Sequence, residues 1–106
     1  MPRILFVVAI AAACSSPPNV GHVCSAMAPD CDVSLTCIST IPGGYCTLSC
    51  GNAGSTAECP EDSICDSLSS LGNYCVKLCD VSADCGRTDV GCNGVSGSNL
   101  KACKPN

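Results

Sequence analysis

The chain has 106 residues, among them 13 cysteines, 10 glycines, 7 prolines and no tryptophan, and its formal net charge is −4. Cysteine above about a tenth of a short chain is the composition of a disulfide scaffold in an oxidising compartment. An acidic balance with only two tyrosines and one phenylalanine offers no footprint for nucleic acid.

The first thirteen residues run from one basic side chain, Arg3, through an apolar stretch, Ile4 to Ile10, into Ala11, Ala12 and Ala13. That order is the n-region, h-region and small-residue cleavage site of a signal peptide, 1–13. Mean hydropathy is +0.33, a value inflated by this segment and by cysteine. No apolar run approaches the roughly 18 residues of a membrane-spanning helix. The junction "IAAAC", residues 10–14, resembles the lipobox of bacterial lipoproteins. The resemblance implies that Cys14 is the first mature residue, carries a diacylglyceryl group and anchors the chain to a membrane. An ordinary signal peptide, with Cys14 as a spare thiol or an intermolecular bridge, is the other reading.

From 14 to 23 the expected structure is a lipid-anchored tether. Pro17 and Pro18 favour extended backbone, and the nine residues from Ser15 to Val23 would span roughly 25–30 Å. His22, the only histidine, falls in it and is expected to be a solvated tether residue. The 93 residues from Cys14 on contain only 16 Leu, Ile and Val and no Phe. That is too little apolar side chain to offset chain entropy by burial alone.

The remaining twelve cysteines fall into three sets of four: Cys24, Cys31, Cys37 and Cys46; Cys50, Cys59, Cys65 and Cys75; Cys79, Cys85, Cys92 and Cys103. Three residues separate one set from the next, "TLS" and then "VKL". The chain therefore reads as three repeats, 24–49, 50–78 and 79–106, with a period of about 28 residues. "GGYC" ending at Cys46 matches "GNYC" ending at Cys75, whereas the third repeat has Ala102 at the tyrosine position. Turn residues lie between the third and fourth cysteines of each set: "IPGG" at 41–44, "LGN" at 71–73 and "SGSN" at 96–99. The apolar flanks Ile38 and Tyr45, Leu68 and Tyr74, and Val95 and Leu100 predict one small hairpin per repeat. Between the first and second cysteines the sequence predicts loop, and nothing after the signal segment has the period of an α-helix. The expected fold is small and disulfide-rich: three tandem repeats of short β-hairpins and loops.

This spacing resembles the first four cysteines of an EGF-like module. "CDVSADC", Cys79 to Cys85, is similar to an element of small secreted domains such as the Dickkopf N-terminal cysteine-rich region. The EGF-like resemblance implies first-to-third and second-to-fourth pairing: Cys24 with Cys37, Cys31 with Cys46, Cys50 with Cys65, Cys59 with Cys75, Cys79 with Cys92, and Cys85 with Cys103. Spacing alone leaves the connectivity open. No acidic calcium consensus precedes the repeats, so no calcium is expected.

Chemistry that cysteine, carboxylate and hydroxyl groups might support finds little footing here. The chain after Cys14 has no C-x-C or C-x-x-C pair, which removes the usual signature of a metal cluster or a redox dithiol; no metal and no cofactor are expected. Glu61 and Asp62 are adjacent in a turn, and Asp80, Asp84 and Asp89 read as turn caps and solubilising charges. Serines lack a G-x-S-x-G context and a histidine base. Tyr45 and Tyr74, the aromatics left after processing, are expected to pack on neighbouring disulfides, or, where exposed, to be contacts for a partner. No N-x-[ST] sequon is present.

The functional expectation is a non-enzymatic, lipid-anchored cell-envelope protein, displaying its repeats to an extracellular or envelope protein or glycan. The alternative is a secreted inhibitor or toxin-like effector acting through one exposed loop, with Ala53 to Glu58 as the candidate.

Overall fold

The computed structural model describes residues 18–25, 27 and 30–105; the signal segment and Cys14 lie outside the described residues. Each set of four cysteines builds one antiparallel hairpin. Strand β1 (Thr36–Ile38) pairs with β2 (Tyr45–Thr47), β3 (Ser63–Ser67) with β4 (Asn73–Cys79), and β5 (Gly91–Gly94) with β6 (Lys101–Lys104). The register places the third cysteine directly opposite the fourth every time: Cys37 on Cys46, Cys65 on Cys75, Cys92 on Cys103. Residues directly opposite on adjacent strands project to the same face, so both disulfides of a repeat emerge from one side of its hairpin.

The six bonds join Cys24 to Cys37, Cys31 to Cys46, Cys50 to Cys65, Cys59 to Cys75, Cys79 to Cys92, and Cys85 to Cys103. In every repeat the connectivity is first to third and second to fourth. The partners are separated by 13 to 18 residues in sequence. Closing a loop of that size restricts the unfolded chain by about 3 kcal/mol in the chain-entropy description. Six such closures are comparable with the whole stability of an ordinary domain, about 5–15 kcal/mol. This is how so little aliphatic side chain suffices.

The hairpins are not separate beads. Strand β4 runs past its turn partner, and its end pairs with β6, Leu78 opposite Ala102 and Cys79 opposite Lys101. The second and third repeats thereby merge into one four-stranded sheet of order β3-β4-β6-β5. The first hairpin docks through backbone: the Cys75 N–H donates to Leu48 O at 2.9 Å, and Ser49 bridges to Tyr74. A single core results, drawing Ile41 and Tyr45 from the first repeat, Ile64, Leu68 and Val76 from the second, and Val90, Val95 and Ala102 from the third.

Two expectations are corrected. The tether does not reach Val23. Val20 is buried in the core, the Gly21 N–H donates to Cys46 O at 2.9 Å, and the Cys46 N–H donates to His22 O at 3.1 Å. Residues 20–22 thus add to the free edge of β2, because an apolar valine and a glycine able to lie against the Tyr45 ring favour packing over solvation. Second, the loop between the first and second cysteines of the third repeat is partly a 3-10 turn, Ser82–Cys85. Asp84 holds it, accepting from the N–H groups of Asp80 at 2.9 Å and Val81 at 3.1 Å. Another such turn, Ser69–Leu71, lies in the second hairpin. No helix among the described residues is long and apolar enough to cross a membrane.

Candidate functional site: a groove between the second and third repeats

Where β4 leaves its first partner and meets β6, the sheet edge opens into a groove of about 510 Å³. Leu78, Cys79 and Lys101 come from the paired strand ends, Leu100 from the residue just before β6, Asp80 and Asp84 from the capped turn, and Asp62 from the opposite wall. The Leu78 N–H donates to Asp62 O at 3.0 Å, which fixes that wall although Asp62 has a left-handed φ of 70°. Lys77 Nζ donates to Asp84 O at 3.2 Å. The Asp80 and Val81 N–H groups hold the Asp84 carboxyl below its ordinary range. The rim therefore carries carboxylates at Asp62, Asp80 and Asp84 and ammonium groups at Lys77 and Lys101. Two exposed apolar side chains lie beside them, Val81 at 58% and Leu100 at 44%.

A smaller cavity of about 200 Å³ shares Asp62 and Lys77 with this groove and adds Pro18, Asn19, Val20, Gly21, His22 and Cys85. His22 is exposed, with its backbone committed to β2. Among the described residues no hydroxyl lines this cavity, and the one lining sulfur, that of Cys85, is in a disulfide.

In each repeat the sulfurs of the first, second and fourth cysteines lie within 4.8 Å of one another: Cys24, Cys31 and Cys46; Cys50, Cys59 and Cys75; Cys79, Cys85 and Cys103. A metal would bind thiolates, whereas these sulfurs are all spent in disulfides. The clusters are pairs of stacked bridges, a consequence of the hairpin register.

The two tyrosines take different places. Tyr45 is 0% exposed. Its hydroxyl donates to the carbonyl oxygen of Cys103 and accepts from the Lys77 N–H at 3.2 Å, and burial pushes its pKa up to about 12. Tyr45 is therefore corrected from possible partner contact to the central strut between all three repeats: no partner reaches a side chain without exposed surface. Tyr74 is half-buried and lines a shallow concavity with Leu71, Gly72 and Asn73.

The loop from Ala53 to Glu58 is pinned. Glu58 Oε1 accepts from the N–H groups of Gly51 and Asn52 at 3.0 and 2.8 Å, Gly54 donates to Cys65 O at 2.7 Å, and the Cys65 N–H donates to Ser55 O at 2.9 Å. Thr56, Ala57 and Glu58 remain exposed, as do Glu61 and Asp62.

Sequence reasoning missed Arg87. Its side chain is 6% exposed and all five N–H groups are used. Nε and Nη2 donate to the Asp89 carboxylate at 2.6 and 2.8 Å, Nη1 to Gly21 O and Gly44 O at 3.0 and 2.8 Å, and Nη2 also to Pro42 O at 2.9 Å. The guanidinium carbon lies 5.7 Å from the Tyr45 ring centroid. The one available signal was that Arg87 is the sole arginine after residue 13, two positions before an aspartate.

No protein-family model matches the chain, and no curated protein or solved structure does either. Six disulfides in one small β fold are the covalent chemistry of an exported, extracellular-type protein.

Proposed function

We propose that the chain is a non-enzymatic bacterial lipoprotein, anchored through Cys14, that displays a disulfide-stapled array to a protein or glycan at the cell envelope. The observation that carries the binding role is the groove between the second and third repeats. It joins both signs of charge and an exposed apolar side chain, Leu100, on backbone held by the Cys79–Cys92 and Cys85–Cys103 bridges. A surface held rigid in this way loses little entropy on binding, so a modest contact area can yield useful affinity. Arg87, Lys104 and Asp84 are engaged in intramolecular hydrogen bonds, while Asp62, Asp80 and Lys101 remain exposed for a ligand.

Intact mass of the protein isolated from membranes, before and after reduction and alkylation, tests the anchor. The expected result is a diacylglyceryl addition on a chain starting at Cys14, with twelve cysteines alkylated only after reduction. An unmodified chain released in soluble form overturns the anchored reading. For the groove, crosslinking on intact cells is compared between the parent and Lys101→Glu, Leu100→Ser. Loss of a crosslinked species in the variant supports the site, and an unchanged pattern overturns it.

A further inference from the structure

We infer that the end of the folded body around Asn19 and Asp32 is a membrane-contact face, with Met27 and Val33 seated in the interface of a zwitterionic lipid surface. The inference rests on the proposed lipid at Cys14 and follows from how soon after it the fold begins. Asn19 and Asp32 are clasped reciprocally: the Asn19 N–H donates to Asp32 Oδ2, the Asp32 N–H donates to Asn19 Oδ1, and Asn19 Nδ2 donates to Asp30 O, all at 2.9 Å. Val20, the next residue, is 5% exposed in the core. The described chain thus joins the folded body at Pro18, and only Ser15, Ser16 and Pro17 separate it from Cys14. Four residue steps extend at most about 14 Å, so a lipid on Cys14 holds the clasp against the head groups instead of lifting the domain clear.

The residues at that end suit such contact. Val33, covalently next to the clasp residue Asp32, is 103% exposed, and Met27, three positions before Asp30, is 93% exposed. They are the two most exposed large apolar side chains among the described residues, and Val23, directly before the first repeat, is 43% exposed. Apolar side chains fully in water at the anchored end have an obvious sink in the lipid interface. The carboxylates of Asp30 and Asp32 at the same end disfavour an anionic surface and select zwitterionic head groups.

The chain has no tryptophan, so single reporters are unambiguous. Met27→Trp, Val33→Trp and, in the third repeat, Val81→Trp are purified as full-length lipidated protein and reconstituted into phosphatidylcholine vesicles with or without brominated acyl chains. Trp at 27 and 33 is expected to shift to the blue and lose about half its emission to the bromines, while Trp at 81 keeps its emission. Equal, unquenched emission at all three positions, on protein whose mass carries the lipid and which floats with the vesicles, overturns the membrane face and leaves the anchor standing. A mass without lipid overturns both. Quenching that survives replacing most phosphatidylcholine by phosphatidylglycerol overturns the preference for a zwitterionic surface.

Discussion

The hydroxyl of Tyr45, one residue before the fourth cysteine of the first repeat, donates to the carbonyl oxygen of Cys103, the fourth cysteine of the third. The contact spans 58 residues of sequence and ties the first hairpin to the far one. The same oxygen accepts from the Lys77 N–H in the second repeat, so one atom touches two repeats from a side chain of the remaining one.

Tyr45→Phe is therefore expected to cost about 1–3 kcal/mol, the penalty for leaving a half-buried N–H without its acceptor and a buried carbonyl without its donor. Tyr74→Phe, at a half-buried position, should cost less than about 0.5 kcal/mol. Chaotrope unfolding with disulfides intact measures both, and equal costs would refute the strut. The raised pKa makes a second check. Below pH 10, the ordinary tyrosine value, both states are protonated and the contribution is fully present. Between 10 and about 12 only the unfolded chain loses its proton, so stability falls as pH rises. In Tyr74→Phe the single remaining phenol should titrate near 12 by ultraviolet absorbance, and a midpoint near 10 would contradict its burial.

Arg87→Lys should destabilise by about 2–3 kcal/mol, because an ammonium cannot reproduce a fork that serves Asp89 and three backbone carbonyls at once. The Asp89 carboxyl is held below its ordinary value of 3.8 by the side-chain hydrogen bond from Arg87, and Asp84 by the N–H groups of Asp80 and Val81. For a depressed carboxylate the contribution is present above 3.8 and disappears as pH falls through the folded value. Acid unfolding should thus begin below about pH 4, and the double variant Asp84→Asn, Asp89→Asn should flatten that slope. An unchanged acid limb would show that other carboxylates govern it.

Gly44→Ala is expected to block correct oxidation. Gly44 has φ +77°, and a Cβ there would stand 1.9 Å from the carbonyl oxygen of Cys24, backbone that cannot yield while Cys24 is bonded to Cys37. Gly86 is the control, at φ +67° with nothing within 4 Å, so Gly86→Ala should lose only about 1–2 kcal/mol for the left-handed conformation. Refolding from the reduced state, followed by chromatography of disulfide isomers, should give scrambled products for the first variant and a single species for the second.

Lys104 Nζ meets Asp66 Oδ2 at 2.5 Å and donates to Gly94 O at 2.6 Å, with the Asp66 side chain 1% exposed. Lys104→Met alone leaves a buried carboxylate without its cation and should cost about 3–5 kcal/mol. Adding Asp66→Leu removes that orphan and should recover much of the loss. A double variant less stable than either single one would contradict this account.

The repeats, the positions of the hairpins and the need for disulfides were all legible from residue order. They depend on local matters: cysteine spacing, turn residues between the third and fourth cysteines, and the scarcity of aliphatic side chains. The groove was not legible, because its walls meet only where Leu78 pairs with Ala102 across two repeats. Nor was the role of Arg87, since three of its acceptors are distant backbone carbonyls, two in the first repeat and one just ahead of it, and backbone leaves no trace in side-chain identity.

Tyr45 and Tyr74 show where that boundary runs. Each precedes the fourth cysteine of its repeat and follows a glycine-bearing turn, so local pattern treats them as equivalent. Packing makes Tyr45 the buried centre and leaves Tyr74 at a concave surface, because the first hairpin has a β4 backbone to lie against and the second is already paired on both sides of β4. Val20 is the same case. Its neighbours read as a soluble tether, yet the exposed edge of β2 and the apolar side chains of the shared core draw it in, and only the assembled neighbours of a residue set that balance.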